Sequence, residues 1–324
     1  MKKVLLGIGG IALATWLALH PISKEQRFQK FIGALNQCSI AEEQLERYPT
    51  ETNKKILAKT DKNFSSIDSK FKDIDWKYNE GTRSIDKKVA EDFAKRGYFL
   101  DKGIRFFEDP NQKYSPITLG KIVEEGTFND IKYIAYERKI GDWDRVACIE
   151  RNANLCKIYS GGEKNPFISI NKSFIENEAI DLFNEFKGKK SVNNLNANEK
   201  LKYAEYKRIC NEIKNPKKEK EFCERYWQIQ KKVLCAHEIE HLSTNSELRA
   251  SLKSLQKEPS YATLECLMRF LNHSNSKEYD GDKHKEAAKQ IFLRFKREGY
   301  SPEKLYELKL DDISRIAGKI YKKV

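Results

Sequence analysis

Apolar positions change their spacing twice along this chain. From residue 24 to about 110 they recur three and four apart inside highly charged stretches, most clearly in 27–35 and 89–97. That spacing predicts helices, broken near Tyr48-Pro49-Thr50 and Asn63-Phe64-Ser65-Ser66. Between 116 and 175 the apolar runs become short, β-branched or aromatic, at 131–136, 146–149, 155–159 and 167–170, with Gly, Asn and Asp between them. These predict strands. Residues 187–199 read as a loop, and 272–283 as a polar connection whose Asp280-Gly281-Asp282 lacks the other ligands of a calcium loop. After Ser246 helical spacing runs to the end, including 285–297 and 310–321. The pattern predicts an α+β protein: a helical N-terminal region at 23–110, then a domain at 111–324 with a small, mainly antiparallel sheet.

The first residues alter the picture of where this body works. Met1-Lys2-Lys3 precede an uncharged apolar stretch from Val4 to Leu19. A basic start before an apolar core predicts a signal peptide or an N-terminal membrane anchor at 1–22, with membrane association through 4–19 if it is retained. Ala12-Leu13-Ala14 offers a cleavage site, yet Trp16-Leu17-Ala18-Leu19 stays apolar beyond it, so both alternatives stand. Either one places the body in the periplasm, outside the cell, or on the outer face of the cytoplasmic membrane.

Seven cysteines agree with such an oxidising compartment. Cys148 and Cys156 flank a turn at 151–154, which predicts a cross-strand disulfide; Cys210 and Cys223 bracket a helix break at 214–220 and form a second candidate pair. Cys235 points away from the histidine two residues on and reads as core or disulfide. A net charge of +13 comes mostly from lysines spread along helices. No stacking-aromatic motif accompanies them, so no nucleic-acid partner is expected.

The chemistry concentrates at the end of a predicted helix over 222–242. Tyr226, Ile229 and Val233 follow helical spacing, and Val233-Leu234-Cys235-Ala236 make it more apolar toward its end. Next come His237-Glu238-Ile239-Glu240-His241, an H-E-x-x-H pentapeptide. Histidines four apart stack on one helix face, where two imidazoles can share a Zn²⁺ and Glu238 can reach an activated water. Burying two imidazoles and an acid demands partners, which a metal supplies.

This pentapeptide resembles the active-site helix of the zincin metallopeptidases, zinc hydrolases of peptide bonds. Residues 166–175, followed by helical 176–186, are similar to the strand-then-helix lead-in of that superfamily, in which the strand edges the sheet beside the substrate cleft. The resemblance spans about residues 166–255 and is specific only at the pentapeptide. It implies a zincin-like catalytic domain with zinc on His237 and His241, Glu238 as general base, and a protein or peptide substrate.

A third protein ligand has to be argued. No metzincin histidine follows His241; the next is His273. A glutamate, as in the gluzincin branch, is the default. Ser243-Thr244-Asn245-Ser246 should stop the helix, with Ser246 capping the next one and Glu247 projecting back from its first turn. Glu247 is therefore the leading third ligand, although it is closer in sequence than gluzincins usually have it. Glu265 and His273 are its rivals. For an oxyanion donor the candidates are Tyr261, Arg249 and His273; Glu240 reads as a supporting or solvent-facing acid. The expected function is exported, zinc-dependent peptide-bond hydrolysis, whether of proteins or of cell-wall peptides. The alternative is a non-catalytic cell-envelope adaptor or interaction protein with a structural or degenerate H-E-x-x-H.

Overall fold

A computed structural model describes residues 24–68, 78–79, 84–85, 87–102, 117–140, 146–189, 194–272 and 281–324. The predicted export segment at 1–22 and His273 lie outside these residues. Among them, no helix is long and apolar enough to cross a membrane.

Helices α1 (Lys24–Arg47), α2 (Glu51–Asp68) and α3 (Lys87–Lys95) form the N-terminal part, beside a two-residue ladder of β1 (Tyr78–Asn79) and β2 (Ser84–Ile85). Phe28, Phe31, Phe64 and Phe93 gather there with Tyr98 and Leu119 of the main sheet. Each such buried aromatic contributes about 1.5–3 kcal/mol by leaving water. This region is not purely helical. Gly97, at φ 77°, turns the chain out of α3 into β3 (Tyr98–Lys102), which joins the sheet.

That sheet continues with β4 (Ile117–Phe128), β5 (Ile131–Ile140), β6 (Ala147–Glu150) and β7 (Phe167–Asn171), in the order β3-β4-β5-β7-β6. Only β5 and β7 run parallel; the other neighbouring pairs are antiparallel. Asn129 and Asp130, both at positive φ, close the two-residue hairpin between β4 and β5. Gly120 and Gly126 of β4 lie under Tyr136 and Tyr133: a Cβ there would stand 2.2 and 2.6 Å from those side chains.

Helix α4 (Ala153–Ser160) follows β6, where the sequence pattern suggested a strand over 155–159. Asn152 decides it, since its side chain accepts from the N–H groups of Asn154 and Leu155 and caps the helix. On one face of the sheet, α4 packs Leu155, Cys156 and Tyr159 against Ile134, Tyr136 and Phe167. On the other face lie α5 (Lys172–Phe186), α6 (Ala197–Glu212) and α7 (Glu219–Glu240), packed on Tyr133, Ala135, Ile168 and Ile170. The alternation along β5 and β7 sends neighbouring residues to opposite cores. Helices α8 (Glu247–Lys257), α9 (Tyr261–Asn272), α10 (Gly281–Arg297) and α11 (Leu310–Tyr321), with a 3₁₀ turn at Pro302–Glu307, build a separate C-terminal core around Leu252, Leu255, Phe292 and Ile316. The architecture is mixed α+β.

Two expectations are corrected. The strand of the 166–175 segment is interior, lying between β5 and β6 with all five residues buried, so the edges are β6 on this side and β3 on the other. Its helix begins at Lys172 because Asn171 accepts from Phe174 N–H. Nor is any of the seven cysteines in a disulfide. Cys156 sits on α4, where its thiol meets the Glu150 carbonyl, instead of facing Cys148 across a ladder. Cys210 ends α6 and Cys223 begins α7, and each packs against the same core without a bond between them.

Candidate metal centre

Helix α7 carries the site because one face anchors it. Phe222, Tyr226, Trp227, Ile229, Val233 and Cys235 are buried against the sheet and α5. Trp227 Nε1 donates to Glu124 Oε2 at 2.8 Å, Tyr133 OH donates to Glu124 Oε1 at 2.7 Å, and Lys231 pairs with the same carboxylate. Burial raises the Glu124 pKa, but these hydrogen bonds overcome it and hold the carboxyl below the ordinary range. Helix and β4–β5 hairpin are thereby joined two turns before the histidines.

The helix ends at Glu240, with His241 as its C-cap. Leu242 N and Ser243 N still donate backward, and Ser246 then caps α8 by accepting from Arg249 N–H. This short turn brings Glu247 back over the last turn of α7. His237 Nε2 lies 3.2 Å from His241 Nε2, and Glu247 places Oε2 3.3 Å from His237 Nε2 and Oε1 3.4 Å from His241 Nε2. Among the described residues this is the one group of three or more His, Cys, Asp or Glu donors gathered within 4.8 Å.

The protonation pattern follows from the partners. His241 Nδ1 is 3.1 Å from the Thr244 carbonyl, which can only accept, so Nδ1 carries a proton; in the neutral ring the Nε2 lone pair faces the cluster, and in the charged ring Nε2–H points to Glu247. The hydrogen bond to Glu247 raises the His241 pKa despite burial. Burial pushes Glu247 up, yet the flanking His237 and His241 imidazoles, with the charge of His284, drive its carboxyl far below the usual range. Glu247 Oε2 is buried and meets no hydrogen bond of good geometry, although imidazole nitrogens flank it.

That orphan oxygen and the spacing together test the fit of a metal. Donors held about 2.0–2.2 Å from a tetrahedral zinc lie about 3.3–3.6 Å from each other; the nearest contacts here are close to that, with His237 facing Oε2 and His241 facing Oε1, and one atom from each residue falls within 4.8 Å of the others. The His₂Glu donor set suits zinc and leaves a fourth position open. The side chains remain 19, 14 and 18 % exposed for His237, His241 and Glu247, so a small molecule can reach them.

Glu238 projects from the same turn toward the sheet edge, where its Oε2 accepts the Ile149 N–H of β6 at 3.0 Å. The other sequence candidates are engaged elsewhere. Glu265 is buried against Arg269 at 3.0 Å and accepts from Asn198 at 2.9 Å. Arg249 and Tyr321 surround the buried Glu240, with Tyr321 OH donating to it at 2.5 Å. Tyr261 OH donates to the Leu308 carbonyl. Two residues not singled out from the sequence do reach the centre: Arg151, just past β6, donates to the His241 carbonyl, and His284 of α10 stands beside Glu247.

Comparison of the chain with protein families, with characterised proteins and with solved structures finds no match. The function is therefore argued from these side chains.

Proposed function

We propose that this protein is a zinc-dependent peptidase whose ligands are His237, His241 and Glu247 and whose general base is Glu238. The observation that carries the proposal is the gathering of three donors within 4.8 Å of one another, with the two imidazoles 3.2 Å apart and Glu247 reaching His237 through Oε2 and His241 through Oε1. When bound, zinc lowers the pKa of water to about 7 and polarises a carbonyl. Glu238 then takes the proton of the attacking water and delivers it to the leaving amine.

The setting of Glu238 favours a peptide as substrate. Its carboxylate accepts the Ile149 N–H of an outer strand of the sheet, and an edge strand is where an extended chain can pair by adding a strand. A substrate bound along β6 would pass beside the base and the open side of the histidines.

Zinc per chain and hydrolysis, measured on the same samples, test this reading. The wild type should carry one zinc and cleave unstructured peptides, and His241→Ala should lose both. Glu238→Gln should keep the metal while the rate falls about 10²–10⁴-fold. A wild type that holds zinc but cleaves neither peptides nor cell-wall peptides would overturn the enzymatic reading and leave a structural metal centre in an interaction protein.

A further inference from the structure

Glu247 has a neighbour that ligation alone does not explain. His284, in the first turn of α10, places Nδ1 3.3 Å from Glu247 Oε2. Its ring lies flat on Phe270 of α9, with centroids 4.9 Å apart and planes 12° from parallel. His284 is not part of the three-residue group whose donors lie within 4.8 Å of one another. The imidazole thus meets the carboxylate from outside the cluster. A carboxylate oxygen has two lone pairs, so Oε2 can face the cluster with one and His284 with the other.

Glu247 needs such support. It stands at the first position of α8, just after the Ser246 cap, and its side chain must be held in one orientation to close a metal site. Ligating carboxylates are commonly held by a hydrogen-bond donor behind them, and loss of that donor costs about 10–100-fold in metal affinity. The Phe270 stack fixes the plane of the His284 ring, and α10 packs on both α8 and α9.

Resting on the metal reading above, we propose that His284 is a positioning residue: its Nδ1, 3.3 Å from Oε2 and short of a formed hydrogen bond, donates to that oxygen once Glu247 is a ligand, and thereby sets the affinity and geometry of the metal site. It is not a ligand. Its function depends on an N–H at the Nδ1 position, and that requirement distinguishes it from a packing residue.

Full-length protein and three variants test this. His284→Phe keeps an aromatic ring on Phe270 but has no donor; His284→Asn puts an amide N–H where Nδ1 stands; His284→Gln extends past it. Zinc affinity is read by competition with a chromophoric chelator, and the ligand field by the visible spectrum of the Co²⁺ form. We expect zinc affinity to fall about 10–100-fold in His284→Phe, with an altered cobalt spectrum, to recover largely in His284→Asn, and to stay low in His284→Gln. Wild-type affinity and spectrum in His284→Phe would overturn the inference while leaving the metal site intact, as would His284→Asn falling as far as His284→Phe. A wild type that binds no zinc, with His237→Ala indistinguishable from it, would instead overturn the metal reading itself.

Discussion

At the scale of single residues, protons and the proposed zinc would compete for the same imidazoles. In the metal-free protein the hydrogen bond to Glu247 raises the His241 pKa, against burial, so its stabilisation is full below the unfolded histidine value and is lost as pH rises through the higher folded one. Glu247 behaves in the opposite sense. Burial opposes its ionisation but the imidazoles prevail, so its contribution is present above the unfolded carboxylate value and lost only as pH falls through a much lower folded one. Between those limits the pair stabilises the empty site. The melting temperature of chelator-treated protein should therefore decline as pH is raised from about 5 to 8, and Glu247→Gln should flatten that decline. Zinc needs neutral imidazole, so its affinity should climb over the same interval. A metal-free melting temperature independent of pH would show that the ion pair contributes nothing.

At the scale of elements, the site depends on where helices stop. Ser246→Ala removes the cap that starts α8 one residue before Glu247; it should cost about 1 kcal/mol in urea unfolding and weaken zinc binding as well. Glu124→Gln disturbs the contact of α7 with the hairpin. Loss of charge-assisted bonds from Lys231, Tyr133 and Trp227 should cost about 2 kcal/mol in the same measurement, with little change in zinc content.

These same elements show what a sequence can express. The apolar approach along 222–236, the pentapeptide and the Ser246 cap are local signals, and together they put Glu247 beside the histidines. Glu265 shares a residue type with Glu247 but not that cap, and it pairs instead with the exposed Arg269. Strand β4 was obscured by Gly120 and Gly126, whose purpose is to admit two tyrosines from the neighbouring strand. The run at 155–159 is too short to separate helix from strand by apolar spacing, and one asparagine cap settled it. The edge position of β6 is a matter of long-range pairing that no local pattern contains. His284 lies between Lys283 and Lys285, so it reads as one more polar residue on a solvated helix; its stack on Phe270 and its approach to Glu247 mark it out.

At the scale of the whole molecule, the chain has cores that neighbour one another without merging. Helix α7 belongs to the core against the sheet and α8 to the C-terminal helical one, so the turn over 241–246 is a seam between them. A ligand that binds only the folded form stabilises it by about 4 kcal/mol when present at a thousand times its dissociation constant. Zinc at this seam would draw donors from both sides, two from the first body and one from the second. Its presence would then decide how many cooperative units the protein has. Chelation should split hydrogen-exchange protection into two classes, with α8, α10 and α11 opening at lower free energy than α7 and β7; metal should restore one common opening. In that sense His237, His241 and Glu247 form a rivet, and the chemistry at the centre would take place only while the two halves unfold as one.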